Sequence, residues 1–214
     1  ASFPTWNAWP SMMASLATGN PVIVKPHPAT ILPMAISVRV FRQVIAAAGF
    51  DPNLVTMALD TVEEPIGKIL VKHPKTAIVD FTGSVAFGQW VERNAYPALA
   101  FTETAGCNTV VLESADDLDA ALRSLATTMC MFSAQMCTSP QNISIPAHGV
   151  RTPTGQVSLD EVARRLSDAI GKLTTDPKKA SMILATIQSD QTLAMVRQLR
   201  DDGAARGTVL LEPA

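Results

Sequence analysis

Residues 21–49 read PVIVKPHPATILPMAISVRVFRQVIAAAG, and this stretch decides the fold class. Residues 21–25 are rich in β-branched side chains and are typical of a buried strand, and residues 27–30 form a turn. Residues 31–48 then carry apolar side chains at helical spacing until a glycine ends the pattern. A buried strand followed directly by an amphipathic helix is the repeating unit of an α/β protein.

The same alternation continues beyond this unit and predicts the rest of the fold. Further strands are predicted at residues 54–59, 76–81, 98–102, 110–112, 142–146 and 208–211. Helices are predicted at residues 65–71, 84–93, 116–131, 158–173, 178–187 and 190–200, and a loop at 148–155. Because such strands pair in parallel, the predicted fold class is α/β, with open, doubly wound parallel sheets and helices on both faces. A domain switch is predicted after Ala105, because Gly106 follows the last strand of the first part.

Composition narrows the class of protein. The 214 residues suit one domain or two small ones, and 47% of them are apolar. A net charge of -2 and the lack of a basic tract argue against a nucleic-acid partner. No apolar run is expected to reach the ~20 residues of a membrane span, and residues 1–10 do not resemble a signal peptide. Three cysteines without short-spaced pairs predict reduced thiols, so we expect a cytoplasmic protein without a membrane partner.

The segment Phe81-Thr82-Gly83-Ser84 is a candidate phosphate site. Gly83 permits a tight turn and Ser84 stands where a helix begins, so backbone amides and the helix dipole favour an anion such as pyrophosphate there. Gly88 follows Gly83 by five positions, but the usual dinucleotide fingerprint G-x-G-x-x-G is absent. An ordinary strand–turn–helix connection with a good cap explains the same residues without any ligand.

Three cysteines compete for the role of nucleophile. Cys137, in Gln135-Met136-Cys137-Thr138, follows a helical stretch and precedes a predicted strand. Attack by sulfur requires a thiolate, and therefore a nearby base or a stabilising charge. The alternative is that Cys137 is a small buried hydrophobe. Cys130 lies in an apolar helical run and is expected in the core, whereas Cys107 lies in a loop-like stretch and stays open as a candidate.

Glu103 ends a predicted strand whose other residues are uncharged. Ligands bind at the carboxyl ends of strands in open α/β sheets, so this carboxylate stands where a site is expected. Burial there would favour its protonated form and would suit a general base. The alternative is an ordinary solvated strand end.

Taken together, five short motifs resemble the aldehyde dehydrogenase superfamily, in the order found in that superfamily. They are Pro4-Thr5-Trp6-Asn7, Pro21-Val22-Ile23-Val24-Lys25-Pro26, Phe81-Thr82-Gly83-Ser84, Glu103-Thr104-Ala105-Gly106 and Gln135-Met136-Cys137-Thr138. Each motif is modest alone, but five in order are specific. The Trp-Asn-Ala-Trp-Pro and Lys-Pro-His-Pro runs most resemble the branch linked to phenylacetate degradation.

The resemblance implies oxidation of an aldehyde to a carboxylic acid with NAD(P)+. Cys137 would attack the carbonyl carbon to give a thiohemiacetal, and loss of hydride would leave a thioester. The Asn7 side chain and the Cys137 backbone amide would form the oxyanion hole. Glu103 would activate the water that hydrolyses the thioester. The implied substrate is a small-molecule aldehyde, a semialdehyde of phenylacetate catabolism in the branch that is most similar.

The resemblance also implies a cofactor site for NAD or NADP and no metal site. Lys25 would bind the adenosine ribose and Ser84 the pyrophosphate, with Pro26, Gly83 and Thr104 in the same site. Residues 1–105 would then be part of a variant Rossmann cofactor domain. Residues 106–214 would be part of the catalytic domain that bears the nucleophile.

The chain departs from the family pattern at several positions. Pro28 stands three residues after Lys25, where NAD-preferring members often carry a glutamate that repels a 2′-phosphate, and this favours acceptance of NADP. Ala105 replaces a glycine near the nicotinamide. A helix lysine of the proton path has no counterpart. The resemblance also implies a longer protein that forms homo-oligomers, of which this chain is an internal fragment.

Two other functions remain open at this point. One is an acylating dehydrogenase that passes the acyl group to coenzyme A, although Glu103 favours hydrolysis instead. The other is a truncated, non-catalytic interaction module with exposed strand edges. Trp9, Met12 and Met13 favour an apolar aldehyde, unless these side chains only pack a helix.

Overall fold

The strand at the start of the deciding stretch pairs in parallel with the next strand along the chain. The structure, a computed structural model, describes residues 3–187 and 189–211. The chain divides into two units, Ala1–Ala105 and Gly106–Ala214. The boundary between the units coincides with the domain switch expected from the sequence, while the roles given to the two parts stay predictions.

The first half of unit 1 is built around the predicted strand and helix. Helix α1 spans Pro4–Ala17, strand β1 Val22–Val24, helix α2 Ile31–Ala47 and strand β2 Val55–Met57. Strands β1 and β2 are parallel, with Val22 opposite Val55, and α2 is the crossover between them. One apolar cluster joins the four elements, and its buried members are Met12, Val24, Met34, Val38 and Val55.

The turn before α2 is capped by a histidine and not by the threonine that directly precedes the helix. Thr30 occupies the N-cap position but makes no side-chain cap hydrogen bond. A short 3-10 turn, Pro28–Thr30, precedes the helix instead, and its cap is His27, whose Nδ1 accepts a hydrogen bond from the Ala29 amide at 3.1 Å. Pro28 fixes the first φ of this turn, as is common at the first position of a helix. The cap hydrogen bond at this helix start therefore comes from the His27 imidazole and not from the Thr30 hydroxyl.

Helix α2 and its preceding turn, Pro28–Ala47, have the length and apolar composition of a membrane span. No run of this length is expected from the sequence, but the helix continues through Pro33 and two arginines. Arg42 donates hydrogen bonds to the backbone carbonyls of Pro52 and Val55 at 3.0 and 2.9 Å, and so ties α2 to β2. Core helices pass the same test of length and composition, so this finding is weak support for a membrane span.

The second half of unit 1 repeats the strand–helix–strand pattern. Helix α3 spans Gly67–Val71, strand β3 Ile78–Gly83, helix α4 Val85–Asn94 and strand β4 Leu99–Thr104. Strands β3 and β4 are parallel. A Cβ atom on Gly88 would lie 2.5 Å from Thr104 Cγ2, so a glycine there lets α4 pack closely against β4.

Unit 2 begins with one more parallel pair and its crossover helix. Strand β5 spans Thr109–Val111, helix α5 Leu118–Cys130 and strand β6 Asn142–Ser144, with β5 and β6 parallel. Helix α6 spans Leu159–Thr174, and its N-cap Ser158 accepts a hydrogen bond from the Glu161 amide. A serine followed three positions later by a glutamate is the capping-box spacing, which predicts this helix start. Helices α5 and α6 close an apolar cluster whose buried members are Leu112, Leu118, Leu122, Val150 and Val162.

Two sequence predictions in unit 2 are wrong. Residues 148–155 form no plain loop, because strands Val150–Thr152 and Gly155–Val157 (β7 and β8) pair as an antiparallel hairpin. Gly149, with φ of +93°, brings the chain within contact of the Val157 carbonyl, where a side chain would not fit. Residues 208–211 form no strand in the described part of the chain. Helices α7, Pro177–Ile183, and α8, Asp190–Arg206, complete the unit.

We expect Leu122→Ala to lower the free energy of unfolding by about 2–5 kcal/mol, because Leu122 is 2% exposed within the unit 2 cluster. Leu159→Ala is the matched control, since it removes the same atoms from a residue on α6 that is 44% exposed. Urea denaturation followed by circular dichroism measures both effects. Equal losses in the two variants would show that Leu122 does not belong to a tightly packed core.

Candidate active site

The carboxyl ends of β3 and β4 bring four of the predicted site residues together. The register places Thr82 opposite Glu103 and Gly83 opposite Thr104. Ser84 follows Gly83 as the N-cap of α4. Candidate phosphate-binding and general-base residues therefore lie at one edge of one two-stranded sheet, which is where ligands bind in open α/β folds.

Glu103 is exposed, which corrects the expectation that it is buried. Its strand is not covered along its length, since Leu99 is 62% and Phe101 57% exposed. Within the described residues β4 pairs with β3 alone, so the physical reason for burial is missing. The carboxylate is accessible to water, so any role of Glu103 as a base does not depend on burial.

Helix α4 presents a suitable end for an anion. The Ser84 hydroxyl accepts a hydrogen bond from the Phe87 amide at 3.4 Å, and the first turn contains no acidic residue. The first amides of a helix have no acceptor within the helix, and its dipole is positive at this end. The close approach of α4 to β4 at Gly88 fixes how far these amides lie from Thr104. This end of α4 is therefore compatible with an anion, while a pyrophosphate there stays a prediction.

The predicted ribose-binding residue takes part in a partly buried ion pair. Lys25 Nζ lies 2.7 Å from Asp60 Oδ2, and the side chains of the two residues are 28% and 1% exposed. Pro26 is buried beside Lys25 at the end of β1. The pKa of the neighbouring His27 is lowered by desolvation and by the charge of Lys25, while Asp60 acts in the opposite direction.

Residues of α1 divide between the core and the surface of unit 1. Asn7 is the fourth residue of α1 and is half-buried. Met12 is buried in the core of unit 1, and Trp9 packs edge-on against Phe41, so these two side chains pack the helix. Met13 is exposed and stays available for another surface. The sequence pattern alone could not distinguish core residues from pocket residues on this helix.

Cys137 is exposed and follows a turn with an unusual backbone. Phe132, Ser133 and Ala134 all have positive φ, between 53° and 57°. Each such residue costs of order 1–3 kcal/mol when it is not glycine, so surrounding contacts must hold the turn. The Ser133 hydroxyl donates to the Ala185 carbonyl at 2.7 Å and accepts from the Ala185 amide at 3.0 Å.

A second set of hydrogen bonds holds the loop that contains Cys137 to the β5–β6 sheet. The Asn108 side-chain amide donates to the carbonyls of Cys137 and Ser139 at 2.7 and 3.0 Å. The backbone carbonyl of Asn108 accepts hydrogen bonds from the backbone amides of Gln141 and Asn142. The holding roles of Asn108 and Ser133 were not expected from the sequence. For Asn108, the one indication in the sequence is a polar side chain just before a predicted strand. Its hydrogen-bond partners could not be predicted, because they lie about thirty positions away in sequence.

The other two cysteines have different surroundings. Cys130 is 7% exposed, and burial raises the pKa of its thiol, so its assignment to the core is confirmed. Cys107 is exposed, and its Sγ accepts a hydrogen bond from the Asn142 side-chain amide at 3.1 Å. Two of the three thiols are therefore accessible, and only Cys137 follows the clamped turn. Among the described residues, no cluster of His, Cys, Asp and Glu side chains could hold a metal ion.

The predicted catalytic residues are distributed over both units. Asn7 and Glu103 belong to unit 1, and Cys137 belongs to unit 2. Their approach to one another stays a prediction, as do the roles given to Lys25 and Ser84.

Comparison with known families decides the class of protein. A model of the aldehyde dehydrogenase family matches residues 2–213. The chain belongs to the aldehyde dehydrogenase family. This agrees with the resemblance carried by the five motifs, and the fold class expected from them is confirmed by solved structures of the same family.

Individual members of the family show how much of the chain is shared. A solved NAD-dependent aldehyde dehydrogenase from Burkholderia multivorans is 46% identical with a TM-score of 0.90, covering 98% of this chain and 37% of that one. The 1-pyrroline-5-carboxylate dehydrogenase 2 of Bacillus subtilis is 27% identical, covering 86% of this chain and 36% of the relative. The 4-trimethylaminobutyraldehyde dehydrogenase B of Danio rerio is 28% identical, covering 92% and 36%. The chain spans less than half the length of these curated relatives.

We expect brief iodoacetamide treatment near neutral pH to label Cys137 and Cys107 and to spare Cys130. Burial limits access to the Cys130 sulfur, and its raised pKa leaves less thiolate at any given pH. Peptide mass spectrometry locates the label. Rapid labelling of Cys130 in the folded protein would contradict its burial.

We expect Asn108→Ala to speed hydrogen exchange in residues 132–139, because the variant loses both hydrogen bonds to the loop that contains Cys137. Asn142→Ala is the matched control, since its side-chain amide contacts Cys107 Sγ rather than the Cys137 loop. Exchange followed by mass spectrometry compares the two variants. No difference between them would show that the Asn108 side chain does not hold the loop.

Proposed function

We propose that the protein containing this chain oxidises an aldehyde to a carboxylic acid with NAD(P)+, with Cys137 as the nucleophile. The observation that carries the proposal is an exposed cysteine between a turn held by Ser133 and carbonyls held by Asn108, within a member of the aldehyde dehydrogenase family. A loop held in this way presents its sulfur in a fixed direction, which covalent catalysis requires.

The chemistry of the first step follows from the groups at the loop. The Cys137 thiolate forms a carbon–sulfur bond with the aldehyde, and the carbonyl π electrons pass to the oxygen. The Cys137 backbone amide and the Asn7 side chain are proposed to donate hydrogen bonds to that oxygen. Bound NAD(P)+ supplies the hydride acceptor, and loss of hydride from the carbon leaves a thioester on Cys137.

Hydrolysis of the thioester is assigned to Glu103. Its exposed carboxylate can accept a proton from water while the water oxygen attacks the thioester carbon. The carbon–sulfur bond then breaks, the acid leaves, and the Cys137 thiolate is restored. An accessible carboxylate at the carboxyl end of β4 suits this role better than coenzyme A-dependent transfer, in which water must not compete.

Cofactor binding is assigned to unit 1. Lys25 and Pro26 at the end of β1 are proposed to hold the adenosine ribose, and Gly83 and Ser84 at the start of α4 the pyrophosphate. Thr104, half-buried opposite Gly83, completes the site. The anion-compatible end of α4 and the ammonium group of Lys25 support this assignment.

The substrate branch and cellular setting are also part of the proposal. The Trp-Asn-Ala-Trp-Pro and Lys-Pro-His-Pro runs support a semialdehyde of phenylacetate catabolism. We further propose that the intact protein is a cytoplasmic homo-oligomer without a nucleic-acid or membrane partner. The low charge and the absence of a basic tract support the exclusion of nucleic acid.

We expect Glu103→Gln to give one rapid equivalent of reduced cofactor, followed by turnover slowed by about 10²–10⁴-fold, because the thioester forms but loses its base. Glu113→Gln, which removes another exposed carboxylate, should turn over at the rate of the unaltered protein. Stopped-flow absorbance measures the burst, and intact mass spectrometry detects the acyl group on Cys137. Full turnover by Glu103→Gln with coenzyme A as the required acceptor would support the acylating alternative instead.

A further inference from the structure

The carboxylate of Asp60 is the buried charge closest to the proposed ribose-binding lysine. Its side chain is 1% exposed, and Oδ2 accepts from both the Lys25 ammonium at 2.7 Å and the Ile66 amide at 3.1 Å. No described residue provides a hydrogen-bond partner for Oδ1. Half of this carboxylate is thus without a donor, and its negative charge is only partly compensated where the effective dielectric is low.

This arrangement changes what Lys25 can bind. An ammonium group has three N–H donors, so the bond to Asp60 leaves two for a ligand. The Lys25 side chain is 28% exposed, so a ligand can reach it. A ligand oxygen about 2.8 Å from the ammonium would lie roughly within 6 Å of the Asp60 carboxylate. A neutral hydroxyl gains a hydrogen bond there, whereas a phosphate dianion also meets a negative charge.

The neighbouring histidine does not restore a positive charge. His27 Nδ1 already accepts from the Ala29 amide, and desolvation, together with Lys25, lowers the pKa of the imidazole. His27 is therefore largely neutral at physiological pH. The positive charge of Lys25 is countered by Asp60, so neither Lys25 nor His27 offers an uncompensated cation to a phosphate.

We propose that Asp60 makes the protein prefer NAD over NADP, by turning Lys25 into a binder of ribose hydroxyls rather than of a 2′-phosphate. The inference rests on the proposed function, in which Lys25 contacts the adenosine ribose. It departs from the sequence-based expectation drawn from Pro28. The carboxylate missing at that position is provided from the loop after β2, from a residue far from Lys25 in sequence.

The test is the ratio of the dissociation constants for NADP and NAD in the intact natural protein, measured by isothermal titration calorimetry. The unaltered protein should bind NAD more tightly. Asp60→Asn should improve binding of NADP relative to NAD by about tenfold or more, the effect expected from removing one like charge at this distance. Glu64→Gln is the matched control, because it removes the same charge from an exposed residue of the same loop. Its ratio should stay unchanged.

Each outcome decides between the two proposals. A folded Asp60→Asn variant that binds NAD with an unchanged ratio would overturn the inference and leave the proposed function standing. An unaltered protein that binds neither NAD nor NADP would remove the proposed function and the inference with it.

A second measurement covers a variant that fails to fold. Binding of 5′-AMP and of adenosine 2′,5′-bisphosphate to the unaltered protein reports the same preference without substitution. Tighter binding of the bisphosphate would overturn the inference, and tighter binding of 5′-AMP is expected.

Discussion

The side chain of Asn108 is the contact on which the position of the Cys137 loop depends. Its amide holds two carbonyls of the loop that carries Cys137, while its backbone carbonyl accepts two amides at the start of β6. One residue thereby joins the loop to the β5–β6 pair, which is itself fixed by parallel hydrogen bonds. The Ser133 contact holds the left-handed turn before Cys137, and the Asn108 side chain holds the carbonyls of Cys137 and Ser139 after it.

Charge is used differently in the two units. In unit 1, the Lys25–Asp60 pair is partly removed from water. Its electrostatic field is therefore weakly screened and affects any charged ligand that binds beside it. In unit 2, hydrogen bonds from Arg164 and Arg165 lower the pKa of Glu161 to about 2, but these groups lie at the surface. Such exposed pairs contribute little to stability. The Lys25–Asp60 pair is therefore better suited than the surface pairs to affect ligand binding.

Local patterns were enough to predict most of the fold. Apolar periodicity located β1, α2, β3 and α4, and the Ser158 spacing located the start of α6, because each signal lies within one turn or strand. The motifs that carry the family resemblance are equally local, and the family match bears them out as a set.

The structural features that could not be predicted from the sequence depend on contacts between residues that are distant in the chain. The β7–β8 hairpin relies on a glycine beside a carbonyl eight positions on, and the turn at Phe132–Ala134 on a segment about fifty positions away. The pairing of Asp60 with Lys25 needs a strand end and a loop to converge. Composition and periodicity contain no information about such convergence. The exposed Glu103 has a related cause, because an apolar strand sequence does not ensure that other elements cover the strand.

The glycine at position 88 sets a tolerance for the whole of the proposed cofactor site. A single added carbon atom there would come 2.5 Å from Thr104 Cγ2, closer than any relaxed contact. Either the helix or the threonine would have to move, and both carry groups assigned to the dinucleotide. The distance between the amides at the start of α4 and the end of β4 is thus fixed by the absence of one methyl group. A chain could keep every binding residue of this site and still lose its spacing through that one position.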